Sequence, residues 1–383
     1  MTSRQPNSTQ TSAKARSSTA SSGTRPPSDS SPKGHSDRER FGATELAIVL
    51  SHYDLGIIET VREFNRGSRK SPKLVIRTER GTCLLKRRAI GRNDPSKVAF
   101  AHELQLFLAK RKFPLPQLVG TRGDNNSMVR WNNAIYELFA YTKGSNYDSS
   151  LDETAESGKV LAQFHKLLRD CQTDNKPSTG SYHAADTVET SMTIIPRALA
   201  KADPRRHQQE PQISELLKSL QTTYDEAVRQ VASLGFDAWP TQIVHCDWHP
   251  GNMLFRSSRI VAVIDYDSAR ILQRVLDIAN GALQFSIIGG TDNPDQWPDH
   301  VDASRLKCFL QAYESVPDSR LTRAEIRSIP WLMIEALIAE SVIPIANTGS
   351  FARIEGLGFL RMVKRKTDWI QEHAGMLTTR LES

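Results

Sequence analysis

From residue 41 onward apolar positions recur with a regular period, and that period changes along the chain. A short helix is predicted at 44–53. Three strand-like runs follow at 56–65, 73–78 and 82–87, with Arg66-Gly67-Ser68 and Glu79-Arg80-Gly81 as the turns between them. Over 94–112 the period lengthens: Val98, Phe100, Ala101, Leu104, Phe107 and Leu108 recur at helical spacing. Asp94-Pro95 supplies an N-cap and a first-turn residue there, and Pro114 and Pro116 stop the helix. Two more strands are predicted at 128–131 and 134–141, closing on Lys143-Gly144. Beyond residue 150 helices dominate, at 151–170, 187–202, 211–234 and about four more within 274–376. A compact β segment at 243–265 interrupts them. No internal repeat is visible.

Five strands with one inserted helix, followed by a mostly helical half, predict an α+β fold of two lobes. The β-rich lobe is expected at 41–141 and the α-rich lobe at 142–376, with a ligand cleft between them. Residues 1–40 have a different character. They contain sixteen Ser/Thr and four Pro and no Val, Ile, Leu, Phe, Tyr or Trp, so they cannot bury enough apolar surface to offset the entropy of ordering. A disordered basic tail is the reading. It carries four of the seven formal positive charges, so the high isoelectric point does not imply a nucleic-acid groove. The four cysteines (Cys83, Cys171, Cys246, Cys308) are scattered without a CxxC pair, which fits reduced thiols. The most apolar stretch, 331–346, is interrupted by Glu335, Glu340 and Pro344, and the N-terminus lacks an apolar signal segment. A cytoplasmic protein without membrane or nucleic-acid partners is expected.

The informative chemistry lies in His245-Cys246-Asp247-Trp248-His249-Pro250-Gly251-Asn252-Met253-Leu254-Phe255, followed by Val263-Ile264-Asp265-Tyr266-Asp267. His245-x-Asp247-x₄-Asn252 has the spacing of a kinase catalytic loop, and an aspartate ends the apolar strand after a hairpin-length connection at 256–259. Phosphoryl transfer needs a base beside the attacking hydroxyl and oxygen ligands for the metal that spans the nucleotide phosphates. Asp247 is the candidate base, and Asn252 and Asp265 are the candidate Mg²⁺ ligands. Gly251 allows the tight turn before Asn252.

This stretch resembles the signature of the aminoglycoside phosphotransferase family, whose relatives include choline, homoserine and methylthioribose kinases; the family usually has Gly where Cys246 stands. The resemblance implies a protein kinase-like fold and an ATP- and Mg²⁺-dependent transfer of the γ-phosphoryl group to a small-molecule hydroxyl. It implies that Lys86 binds phosphate, that Glu103 is its ion-pair partner, and that Glu137 and Phe139 lie in the interlobe hinge that binds adenine. It further implies that Asp277 braces the catalytic loop, while His245 packs and hydrogen-bonds beneath it. Asp267 is read as a cap on the following turn. The first turn, 65–69, has a single Gly and no glycine-rich phosphate loop. Asp292, Asp295, Asp299 and Asp302, with Trp297 and Trp331, suit a cationic amine but are read as a solvated loop.

Three other readings stand beside this one. His245, Asp247, His249 and Asp265 could ligate a hydrolase metal. The segments at 53–55 and 81–87 are similar to spore-coat-type members of the superfamily, which suggests a non-catalytic structural protein. Protein Ser/Thr kinase activity is the third.

Overall fold

A computed structural model describes residues 38–291 and 293–382 of the chain. The basic tail expected at 1–40 lies outside the described residues, except for its last three positions.

Helix α1 (Ala43–Ser51) leads into strands β1 (Ile58–Glu63), β2 (Lys73–Thr78) and β3 (Gly81–Arg87), helix α2 (Pro95–Lys110), and strands β4 (Val129–Trp131) and β5 (Ala134–Ala140). The strands form one antiparallel sheet in the order β1-β2-β3-β5-β4. The first strand is shorter than its apolar pattern predicted. Its pairing with β2 slips between Ile58 and Thr60, and as an edge strand it buries none of its residues. Alternation in β3 and β5 sends Leu85, Tyr136 and Leu138 to a small core with Val49 and Tyr53. The opposite face carries Leu84, Lys86, Glu137 and Phe139, which pair across β3 and β5 as Leu84↔Phe139 and Lys86↔Glu137. Helix α2 begins as its sequence predicted, with the Asp94 side chain accepting the Ser96 N–H at 2.9 Å.

The rest is mostly helical: α3 (Leu151–Leu168), α4 (Asp186–Ala202), α5 (Glu210–Ser233), α6 (Val275–Ser286), α7 (Ala303–Glu314), α8 (Arg323–Thr348) and α9 (Gly356–Glu382). Between α5 and α6 lie β6 (Thr241–Val244), β7 (Met253–Arg256), β8 (Arg259–Val263) and β9 (Arg270–Gln273), paired β6–β9 and β7–β8 as two antiparallel ribbons. Strand β9 was not predicted, because Arg270 and Gln273 break its apolar pattern. Helix α8 is long and apolar enough to cross a bilayer, yet 78% of its apolar window is buried inside the fold.

Helices α3 and α7 approach closely at Gly158, where an added Cβ would lie 2.1 Å from the carbonyl oxygen of Phe309. The obstacle is backbone and cannot rotate away. Gly158→Ala should therefore cost about 1–3 kcal/mol, as overpacking does, and thermal unfolding would show it as a lowered Tm. An unchanged Tm would mean that the helices separate without penalty.

Candidate active site

The catalytic-loop sequence connects β6 to β7. Cys246 turns the chain with a left-handed φ of 59°, uncommon for a residue with a Cβ. His249 Nδ1 accepts the Gly251 N–H at 3.0 Å, and Pro250–Asn252 complete one helical turn. The β7–β8 hairpin closes through Ser257 and Ser258, both at positive φ, as a two-residue turn requires. This hairpin brings Asp265 back to Asn252. The Ile264 N–H donates to the Asn252 carbonyl at 2.9 Å, and Asp265 follows at once with φ 66°.

Asn252 is 6% exposed, and its Nδ2 donates to the Asp247 carboxylate at 2.8 Å and to the Asp247 carbonyl at 3.0 Å. That commits the amide nitrogen and leaves Oδ1 as the atom able to ligate a cation. Asp265 is exposed, and among the described residues no hydrogen bond or ion pair occupies its carboxylate. A neutral amide oxygen and an unpaired carboxylate oxygen fit a hard divalent ion whose remaining ligands are phosphate and water. Asp247 keeps 37% of its side chain exposed, with His249 Nε2 at 3.5 Å.

Beneath the loop, buried Asp277 accepts the backbone N–H groups of His245 and Cys246 at 2.5 and 2.6 Å. Its Oδ2 also lies 3.1 Å from His165 Nε2. His245 packs among Phe164, Trp248 and Tyr266, and burial lowers its pKa. The side-chain hydrogen bond expected of it is not made, since neither ring nitrogen has a partner among the described residues. An imidazole enclosed by aromatic rings is no metal ligand. Among the described residues no group of three or more His, Cys, Asp or Glu is placed to hold a metal ion, so the hydrolase reading has no ligand set.

The ion pair expected between Lys86 and Glu103 is not formed. Glu103 faces the other way along α2, where it accepts hydrogen bonds from Thr173 and, at 3.0 Å, from Asn175. Its neighbour His102 points inward instead. Lys86 Nζ lies 3.5 Å from Glu137 and 3.8 Å from Asp267. Glu137 is fully buried and also receives Arg88 Nη2 and His102 Nε2, each at 2.7 Å. Arg88 in turn grips both oxygens of Asp267 at 2.7 and 2.8 Å, so Asp267 is an ion-pair partner rather than a turn cap. Burial alone would raise the Glu137 pKa. The Lys86 and Arg88 charges and the His102 hydrogen bond outweigh it and hold the carboxyl well below the usual range. Burial would likewise lower Lys86, but Glu137 and Asp267 raise it above its ordinary value.

Glu137 is thus the partner of Lys86 and not a hinge residue. The backbone around it is occupied as well. The Leu138 carbonyl accepts the Val119 N–H and the Ala140 N–H donates to the Gln117 carbonyl, both at 2.8 Å, so the chain leaves the sheet only after Ala140. Phe139 lies half-buried on the Lys86 face, opposite Leu84. Of the acids at 292–302, Asp292 lies outside the described residues. Asp295 and Asp299 pair with Arg365 at 3.6 and 2.7 Å, and Asp302 caps α7 and pairs with Arg305 at 2.9 Å.

Comparison with known proteins identifies the family and the fold. Residues 60–323 match the phosphotransferase enzyme family. A homoserine kinase of Methylocella silvestris is 26% identical over 236 residues, 61% of this chain and 67% of that protein. An aminoglycoside phosphotransferase structure from Alicyclobacillus acidocaldarius superposes with a TM-score of 0.63 at 17% identity, covering 91% of this chain and 99% of its own. A microcompartment-associated aminopropanol kinase gives 0.63 at 15% identity, covering 89% and 100%. These structures show the kinase-like two-lobed fold, and the match over residues 60–323 shows that the chain belongs to the phosphotransferase enzyme family, whose members phosphorylate alcohol groups.

Proposed function

We propose that this protein is an ATP- and Mg²⁺-dependent kinase that moves the γ-phosphoryl group to a hydroxyl of a small molecule. One observation carries the reading. Asn252 is held by Asp247 through its side chain and positions Asp265 through its backbone, so base and metal ligands form one unit. Lys86 faces the same region from the sheet, where Asp265 is among the acids that raise its pKa. In this scheme the acceptor oxygen bonds to the γ-phosphorus, the bond from that phosphorus to the bridging oxygen of ADP breaks, and the hydroxyl proton passes to Asp247. Asn252 and Asp265 would hold Mg²⁺, which spreads the phosphate charge. Lys86, fixed by Glu137, would bind the nucleotide phosphates, and Leu84 and Phe139 present an apolar surface beside it for the base.

Calorimetry of ATP with and without Mg²⁺ tests the assignment. Asp265→Ala should abolish Mg²⁺-dependent ATP binding, and unchanged affinity would overturn it. A non-catalytic scaffold has no use for an unpaired carboxylate beside a held amide, which favours the catalytic reading. Four free cysteines suit a reducing, cytoplasmic setting.

A further inference from the structure

Three polar residues of α6 form one stripe: Asp277, Asn280 and Gln284, at i, i+3 and i+7. Asp277 holds the catalytic loop. The other two face Glu340 on α8, with Gln284 Nε2 donating to Oε2 at 2.9 Å and Asn280 one turn earlier on the same side of α6. Two glutamates interrupt the apolar run of α8, and their surroundings differ. Glu335 is fully buried and satisfied by His183 Nδ1 at 2.9 Å and by the Ala184 N–H at 3.1 Å. Glu340 is partly exposed, and among the described residues no Lys, Arg or His lies within ion-pair distance of it.

The titratable groups that bear on Glu340 are Asp247 and Cys246 on the loop and Tyr182 before α4, none of them a cation. Arg270, which bears on Cys246, donates to the carbonyl of Gly180. Burial, then the Asp247 charge, pushes the Glu340 carboxyl up to about 7. Asn280 is 3% exposed, and its Oδ1 has no hydrogen-bond partner. Beside Glu340, that oxygen is a second acceptor lacking a donor. A carboxylate without a cation and an amide oxygen without an N–H therefore lie together, close enough to Asp247 for the two acids to feel each other.

We propose that Glu340 and Asn280 form a subsite for a primary ammonium group on the acceptor, so that the substrate is a small amino alcohol whose hydroxyl meets Asp247. This rests on the reading of Asp247 as the base. The chemistry selects a primary ammonium because its N–H donors can serve the carboxylate and the amide oxygen together. A quaternary ammonium has no N–H and leaves the Asn280 oxygen unpaired, and a neutral diol leaves the Glu340 charge uncompensated.

The test uses the full chain with Mg²⁺ and ATP and three matched probe sets: ethanolamine, 1-amino-2-propanol and 3-aminopropanol; their N,N,N-trimethyl counterparts; and the diols of equal length. At least one primary amine should exceed both of its counterparts by about 10²-fold in kcat/KM, a size in keeping with a buried charged hydrogen bond. Glu340→Gln should erase that preference through KM and leave ATP affinity unchanged. Without any acceptor, the wild type should melt below Glu340→Gln at pH 8 and together with it at pH 5. The reason is the sign of the shift: a carboxyl whose pKa is raised on folding destabilises the fold as pH climbs from 4.5 towards 7. A preferred diol or trimethyl probe, an amine preference that survives Glu340→Gln, or no turnover of any probe by protein that binds Mg²⁺-ATP would overturn the subsite. Failure to bind Mg²⁺-ATP at all would instead overturn the kinase reading beneath it.

Discussion

Asp247→Asn is expected to lower turnover by about 10²–10⁴-fold while the affinity for Mg²⁺-ATP stays within a factor of a few. The split follows from what the side chain touches. Asp247 receives Asn252 Nδ2 at 2.8 Å and keeps 37% of its side chain exposed. An asparagine there still offers an amide oxygen to Asn252, and Asp277 still holds the loop through the backbone of His245 and Cys246. The loop therefore keeps its shape, and Asn252 and Asp265 keep their places. What disappears is the anion proposed to take the acceptor's proton. Single-turnover assays beside an ATP titration separate the outcomes. Equal turnover in both proteins removes Asp247 from the role of base. A parallel loss of turnover and ATP affinity would mean that the loop had collapsed.

Much of this site was legible in the sequence because it is local. Asp247, Asn252 and Asp265 lie within nineteen residues, and a loop, a one-turn helix and a tight hairpin suffice to bring them together. The five strands, the inserted helix and the helical half were legible for a similar reason, since each element buries one face with its own period. What failed were pairings set by distant register. Residues 86 and 137 face each other only because β3 pairs directly with β5, and no local pattern announces that strand order. The inward turn of His102 and outward turn of Glu103 depend on how α2 is rotated over the sheet, which adjacent polar residues leave ambiguous. Glu340 was visible only as a charge in an apolar run. Its difference from Glu335 appears when α6 brings two amide side chains beside it and, among the described residues, no neighbour supplies a cation.

The most consequential of those failures concerns Lys86. A glutamate on a helix can be swung away from its lysine when the helix moves. Glu137 cannot, because it faces Lys86 from the neighbouring strand and the sheet fixes the distance. The charges gathered round buried Glu137 are balanced, with Lys86 and Arg88 against Glu137 and Asp267. Glu137→Gln leaves two cations to one anion around a side chain that is itself fully buried. We expect it to cost about 3 kcal/mol or more of stability, as breaking a buried pair does, and to raise the KM for ATP at least about tenfold as Lys86 loses its fixed position. Glu103→Gln should cost no more than about 1 kcal/mol and leave the KM for ATP unchanged, because Thr173 and Asn175 can donate to an amide oxygen as well. The pH dependence carries the sign of a lowered carboxyl. The stabilisation by Glu137 is fully present above the unfolded value of 4.5 and is lost as pH falls below it, so the melting temperatures of wild type and Glu137→Gln should converge in acid. If Glu103→Gln lost ATP affinity and Glu137→Gln did not, the helix rather than the strand would hold the lysine.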